Sequence, residues 1–228
     1  MNIKQLKPAA ELAQAFGVKC LAYGPPGSGK TPLIKTAPRP VLCVVEPGML
    51  SMRDAHNVPA WEAYTPKAID EFAAWLFGSA ESRQFNTVGI DSVSQMAEII
   101  LTEELARNKD GRKAYGEMNE VIIKLVKAFR DIPKKNVILI CQQAKVQDSE
   151  GRILYSASMP GKTLSPALPF LFDLVACLRV RKDENGEYKR AFQFEPDEIY
   201  DCKQRGGKVN AFEPADWSII FNKIKGNN

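Results

Sequence analysis

The 228-residue chain holds a single histidine, five cysteines and no CxxC pair, so the usual means of binding a metal through imidazole or sulfur are absent. An odd number of thiols (Cys20, Cys43, Cys141, Cys177 and Cys202) excludes a simple disulfide framework. Most lie inside apolar runs such as VLCVV and VILICQQ, as buried reduced thiols do. A reducing cytoplasm follows as the expected compartment. The stretch MNIKQLKPAAELAQAF has no long apolar core, so neither secretion nor a membrane partner is expected. No repeat, low-complexity tract or long Pro/Gly/Ser linker breaks the chain, and residues 1–228 read as one domain. A strongly basic stripe is also missing: Lys plus Arg number 31 against 27 acids, a net charge of +4. That excess permits a polyanionic partner without demanding one. What remains, 45% hydrophobic and 25% charged, suits a globular α/β domain with a full core.

Short apolar runs alternate with helical patterns, the signature of a mostly parallel sheet flanked by helices. The runs are VKCLAY (18–23), PVLCVV (40–45), NTVGID (86–91) and NVILICQ (136–142), with the low alternation of strands covered on both faces. Thr65-Pro66 starts a helix carrying Ile69, Phe72, Trp75 and Leu76 on its core side. Further helices are expected over 92–106 and 115–130. Near the C-terminus LVACLRVRKD and EYKRAFQFE flank Glu184-Asn185-Gly186, a hairpin signal, and EIYDCK (198–203) reads as another strand. The fold class is therefore α/β, a parallel sheet extended by antiparallel C-terminal strands.

GPPGSGKT (Gly24, Pro25, Pro26, Gly27, Ser28, Gly29, Lys30 and Thr31) fits G-x-x-x-x-G-K-[ST], follows the strand VKCLAY and precedes the helix pattern PLIKTA. Glycines let backbone N–H groups turn inward around phosphate oxygens. Lys30 is placed to reach the β- and γ-phosphates of ATP, and the Thr31 hydroxyl to hold Mg²⁺. Asp91, closing the run VGID, is the second expected Mg²⁺ partner, with an N-cap for the next helix as a compatible role.

A second acid beside Asp91 is lacking. Ser92 follows it, and Glu98 lies about two helical turns away. Glu46, just past the run PVLCVV, is the remaining candidate for polarising water: in a sheet where that strand adjoins the P-loop region it would project from the edge where ligands sit in open α/β folds.

An acid on the strand after the P-loop, with a plain Asp-Ser on the next, resembles the RecA-like ATPases. Much of the chain is similar to the phage RecA-core, single-strand annealing and recombination proteins. The matching stretches are GPPGSGKT, APRPVLCVVEPGMLSMRD, FNTVGIDSVSQM, AYGEMNEVIIKLVKAFRDIPKKNVILICQQAKVQD and YDCKQR. One departure is that Val45 precedes the glutamate and Pro47-Gly48 follows it. The resemblance implies a RecA-like P-loop core and a DNA-dependent ATPase acting in annealing or strand exchange. It implies that Glu46 acts on water and that Gln143 senses the γ-phosphate, with Gln142 as its adjacent competitor. It also implies that Lys203 and Arg205 reach a neighbouring subunit's nucleotide. Single-stranded DNA, further copies of the chain in a ring or filament, and a single-strand-binding protein are the implied partners.

Two segments suit a single-stranded polyanion. Residues 107–116 carry Arg107, Lys109, Arg112 and Lys113 beside Tyr115; residues 144–166 carry Lys145, Arg152, Tyr155 and Lys162 with little periodicity. Basic groups beside aromatics serve backbone tracking and base stacking, and the RecA-like resemblance implies two central loops there. Two other readings start from the same P-loop. A small-molecule kinase lacks support from any compact Arg-rich lid, and a nucleotide-stabilised scaffold without significant hydrolysis stays open.

Overall fold

Uninterrupted Val, Ile, Leu and Cys runs give strands that can only be stable when covered on both faces. In the computed structural model, which describes residues 6–9, 11, 16–147 and 150–226, they form the middle of one sheet. Its parallel part comprises β1 (Lys19–Gly24), β2 (Pro40–Val44), β3 (Ala60–Glu62), β4 (Thr87–Asp91) and the first half of β5 (Asn136–Gln147). The far half of β5 leaves the sheet and pairs antiparallel with β6 (Ile153–Ala157). Beyond β1 lies β7 (Leu174–Lys182), parallel to it, then the antiparallel β8 (Tyr188–Gln193) and β10 (Phe212–Pro214). A two-residue strand, β9 (Lys203–Gln204), pairs with the start of β7. The order along the sheet is β10-β8-β7-β1-β5-β4-β2-β3. The expected parallel sheet with a C-terminal antiparallel extension is what forms, and the hairpin turns at Gly186, whose φ is +81°.

Strand alternation divides the core in two. Leu21, Tyr23, Val41, Cys43, Val88, Ile90, Leu139 and Cys141 face three helices: α1 (Pro66–Gly78), α2 (Val93–Arg107) and α3 (Gly111–Arg130). Cys20, Ala22, Leu42, Val44, Ile138 and Ile140 face the other way, toward Ile34 and the C-terminal helix α4 (Trp217–Lys225). Thr65 caps α1, its Oγ1 accepting from Ala68 N at 3.2 Å, and Ile69, Phe72 and Leu76 are buried. Trp75 packs beside them against Trp61 and Phe85.

Several expectations are corrected. PLIKTA forms a five-residue 3₁₀ helix, Pro32–Thr36, because Pro38 and Pro40 leave too little chain for more before β2 begins. α4 braces this short element: Trp217 N donates to Thr36 Oγ1 at 2.9 Å, and the Trp217 ring is buried against Phe192 and Phe221. Residues 198–203 form no continuous strand, because Asp197 Oδ1 draws in the N–H groups of Ile199 and Tyr200; Tyr200 makes a single parallel bridge to Tyr155, and Lys203–Gln204 pairs with β7. The third helix starts at Gly111, four residues before the expected position, because Asp110 caps it. Nor is residues 144–166 an open loop: β5 runs to Gln147, β6 covers Ile153–Ala157 and a short helix begins at Leu164, with residues 148–149 outside the described set. The N-terminal stretch read for a leader also falls largely outside the described residues, and among these no helix is long and apolar enough to cross a membrane.

Candidate functional site

The turn from Gly24 to Thr31 leaves β1 at the C-terminal edge of the sheet and folds over its α4 face, where Ile34 anchors the short helix in the core. Gly27 and Gly29 hold φ of +72° and +97°, conformations that let successive N–H groups turn toward one concavity. The loop borders a cleft of about 630 Å³ lined by Lys30, Thr31, Glu46, Asp91, Gln142 and Arg190 among others.

Register brings the acids together. On β4 the side chains of Val88 and Ile90 enter the helical core, so Gly89 and Asp91 fall on the opposite face, with Gly89 against Ile34 and Leu42. Val45 N donates to Asp91 O at 2.7 Å, extending the β2–β4 pairing one residue past the strand. That bond seats the following residue, Glu46, at the mouth beside Asp91. Thr31 Oγ1 donates to Asp91 Oδ2 in a short hydrogen bond. Burial raises the Asp91 pKa, Glu46 adds to the rise, and Thr31 and Lys30 oppose it. Lys30 is shifted downward by burial, against the pull of Asp91 and Glu46, and its Nζ donates to Gly24 O at 2.8 Å and Pro25 O at 3.0 Å. The helix cap considered for Asp91 falls instead to Ser92, whose Oγ accepts from Gln95 N at 3.2 Å. A hydroxyl and a carboxylate side by side are hard oxygen donors of the kind Mg²⁺ takes, so Thr31 and Asp91 fit that ion.

Gln142 and Gln143 both border the cleft but belong to opposite faces of β5. Gln142 pairs with Gly24 and shares the parity of Ile138 and Ile140, which puts it on the P-loop side. Gln143 follows the parity of Cys141, and its Oε1 accepts from Cys177 Sγ at 3.9 Å on the helical side. Gln142, rather than Gln143, therefore shares the face on which Lys30 and Asp91 stand. Ser94, unremarked in the sequence, joins the parts: its Oγ accepts from Gln142 N at 3.0 Å and donates to Ser158 O at 2.6 Å.

Lys203 and Arg205 lie at the other edge of the sheet. β9 pairs with Leu174 and Val175, the start of β7, whereas the P-loop stands beyond the end of β1. Lys203 Nζ donates to Pro169 O at 2.9 Å, and Arg205 bonds Phe170 O at 3.3 Å and pairs with Asp173. They belong to no part of their own chain's cleft.

Of the basic segments, part converges. Arg112 and Tyr115, in the first two turns of α3, meet Gly161, Lys162 and Thr163 across a groove of about 610 Å³. Asn119 lines the same groove, and its Oδ1 is buried without a hydrogen-bond partner. Arg107 is taken up by Glu103 and Glu104 within its own helix, Arg152 pairs with Glu150 at 3.5 Å, and Lys145 sits over the Tyr155 ring at 5.7 Å. Lys109 and Lys113 are exposed beside the groove's start without lining it.

Arg190 was not foreseen. It comes from β8 and donates from Nε to Ser28 O at 2.7 Å, a contact between residues 162 positions apart that no local pattern announces.

A family model described as an AAA domain matches residues 17–206. Among solved structures, a KaiC-like protein from the hyperthermophilic archaeon Pyrococcus horikoshii OT3 aligns at 15% identity and a TM-score of 0.39, over 78% of each chain. An ATPase of the type III secretion system of pathogenic bacteria aligns at 17% identity and a TM-score of 0.50, over 72% of this chain and 52% of that one. The chain thus spans about half of that ATPase's length. No curated protein matches.

Proposed function

The chain belongs to the AAA domain family and has a P-loop ATPase fold of the RecA-like kind, and from that premise we propose that it is a DNA-dependent ATPase. It binds single-stranded DNA and acts in annealing or strand exchange, as in phage recombination proteins. The observation that carries this reading is the short path between cleft and groove. Gln142 borders the cleft, its carbonyl accepts from Ser158 N at 2.7 Å, and four residues later Lys162 lines the basic groove. A change at the γ-phosphate felt by Gln142 reaches the groove through one strand crossing and Ser94.

In this reading the glycine-rich turn and Lys30 hold the triphosphate. Thr31 and Asp91 hold Mg²⁺, which when bound neutralises the charge on the phosphate oxygens. Glu46 orients and polarises the attacking water, and Gln142 takes the sensing role first assigned to Gln143. The groove suits a nucleic acid strand: Arg112 and Lys162 offer charge to phosphates, Tyr115 a face for stacking, and Asn119 Oδ1 an acceptor for a base N–H. Lys203 and Arg205, at the edge opposite the cleft, serve a neighbouring copy stacked head to tail, an arrangement that builds rings or filaments.

ATP turnover across a protein dilution series, with and without oligo-dT, tests the reading. Turnover is expected to rise with DNA and to fall on dilution, and the Arg112→Glu/Lys162→Glu pair is expected to lose the DNA response while still binding ATP. Rates that are flat with respect to both DNA and concentration would sink it.

A further inference from the structure

The short helix that follows the P-loop offers few donors to an anion. Pro32, the first helical residue, has no N–H, and the Ile34 N–H is already given to Thr31 O at 3.1 Å. The helix itself is a 3₁₀ element of five residues, too short to contribute much dipole. A cation from elsewhere stands at this weak point. Arg190 crosses from β8, lines the cleft, and places its Nε 2.9 Å from where a Cβ on Gly29 would lie. Its Nε is anchored on Ser28 O, while the two Nη groups hold no partner among the described residues.

Resting on the nucleotide-binding reading above, we propose that Arg190 is a phosphate-binding residue supplied in cis, gripping the α/β portion of the phosphate chain in place of the missing helix donors. The strand order sets which end it serves. Asp91, Glu46 and Gln142, the groups suited to the γ end, come from β4, β2 and β5 on one side of β1. Arg190 comes from β8 on the other side. An exposed guanidinium with one nitrogen fixed and two free is suited to a phosphate in a way lysine is not.

Isothermal titration of ATP and of ADP against the wild type, Arg190→Gln, Arg190→Lys and Lys30→Ala tests this. Glutamine carries an amide nitrogen at the Nε position, so it can keep the bond to Ser28 O while losing the charge. Arg190→Gln is expected to weaken ATP and ADP by the same factor, roughly tenfold to a hundredfold. Arg190→Lys should recover part of that, and the unfolding midpoint of Arg190→Gln without nucleotide should match the wild type. Wild-type affinity in Arg190→Gln would reduce Arg190 to a tie for the hairpin and overturn the assignment, as would a loss confined to ATP. Binding abolished by Lys30→Ala but untouched by Arg190→Gln sinks this inference alone; a wild type that binds neither nucleotide sinks the underlying reading too.

Discussion

Alanine at Gly27 and at Gly29 should have different costs, and the structure says by how much. Both residues sit at positive φ, so each alanine brings backbone strain of about 1 kcal/mol. At Gly27 the added methyl meets nothing within 4 Å, and strain is the whole effect. At Gly29 it stands 2.9 Å from Arg190 Nε and 3.5 Å from Cδ and Cζ, so the arginine must move and its bond to Ser28 O is lost. That bond is charge-assisted but partly exposed, which puts its loss at about 1 kcal/mol. For a chain of 228 residues these sums correspond to a fall in unfolding midpoint of about 3 °C for Gly27→Ala and about 6 °C for Gly29→Ala. Scanning calorimetry without nucleotide measures both. The decisive step is a double-mutant cycle: in an Arg190→Ala background the whole cost of Gly29→Ala should shrink to that of Gly27→Ala, the extra part vanishing. Equal midpoints for the two single variants, or an extra cost that survives removal of Arg190, would refute the claim that the arginine is packed on the loop.

Glu46→Gln should bind ATP within a few-fold of the wild type yet lose turnover by about 10² to 10⁴, the usual share of a positioned base; single-turnover rates within fivefold of the wild type would remove Glu46 from the chemistry. Gln142→Ala should abolish stimulation of the ATPase by oligo-dT while Gln143→Ala keeps it, and the reverse pattern would return the sensing role to Gln143. Lys19 gives a pH signature far from the cleft: burial pushes its pKa down to about 8, partly offset by Asp173 and Asp131, and its Nζ donates to Ile132 O and Lys135 O at 3.0 and 2.7 Å. Between about pH 8 and 10.5 the folded chain has released this proton and the unfolded chain has not, so stability should rise with pH by about 1.4 kcal/mol per unit from this group. Urea unfolding of Lys19→Met across that window should lack this rise, and parallel slopes would refute it.

Much of the fold was legible because burial on both faces leaves its mark on the residues themselves: four apolar runs became β1, β2, β4 and β5 within two residues at their starts. Local chemistry was equally readable where it acts within one turn, as with Thr65 capping α1. The 3₁₀ shortening was also written in Pro32, Pro38 and Pro40, but the G-K-T motif argued louder for a full helix. α4 had its own signals, Asp216 accepting at the cap and Gly226 at φ +71°, in a stretch whose short length hid them. Arg190 was beyond reach in principle. Its contact depends on β8 lying two strands from β1, which is a property of strand order and not of any window of sequence.

The choice between Gln142 and Gln143 turns on a single-residue parity, and parity has physical weight here. Successive side chains on a strand point to opposite faces, so a slip of one position exchanges core for cleft. Cys141 is locked in the helical core, fully buried beside Leu139, and Ile140 is locked in the other. Those two neighbours leave Gln142 no freedom: it must share the face of Ile140, where Lys30 and Asp91 stand. Gln143 must share the face of Cys141, from which β5 departs to pair with β6. The strand thus presents one glutamine to the P-loop side of the cleft and the next to the hairpin that leads toward the groove. If nucleotide state is passed to DNA, it passes through the backbone of Gln142, whose N–H donates to Ser94 Oγ and whose carbonyl accepts from Ser158 N, and Ser94→Ala should loosen that coupling without touching either ligand.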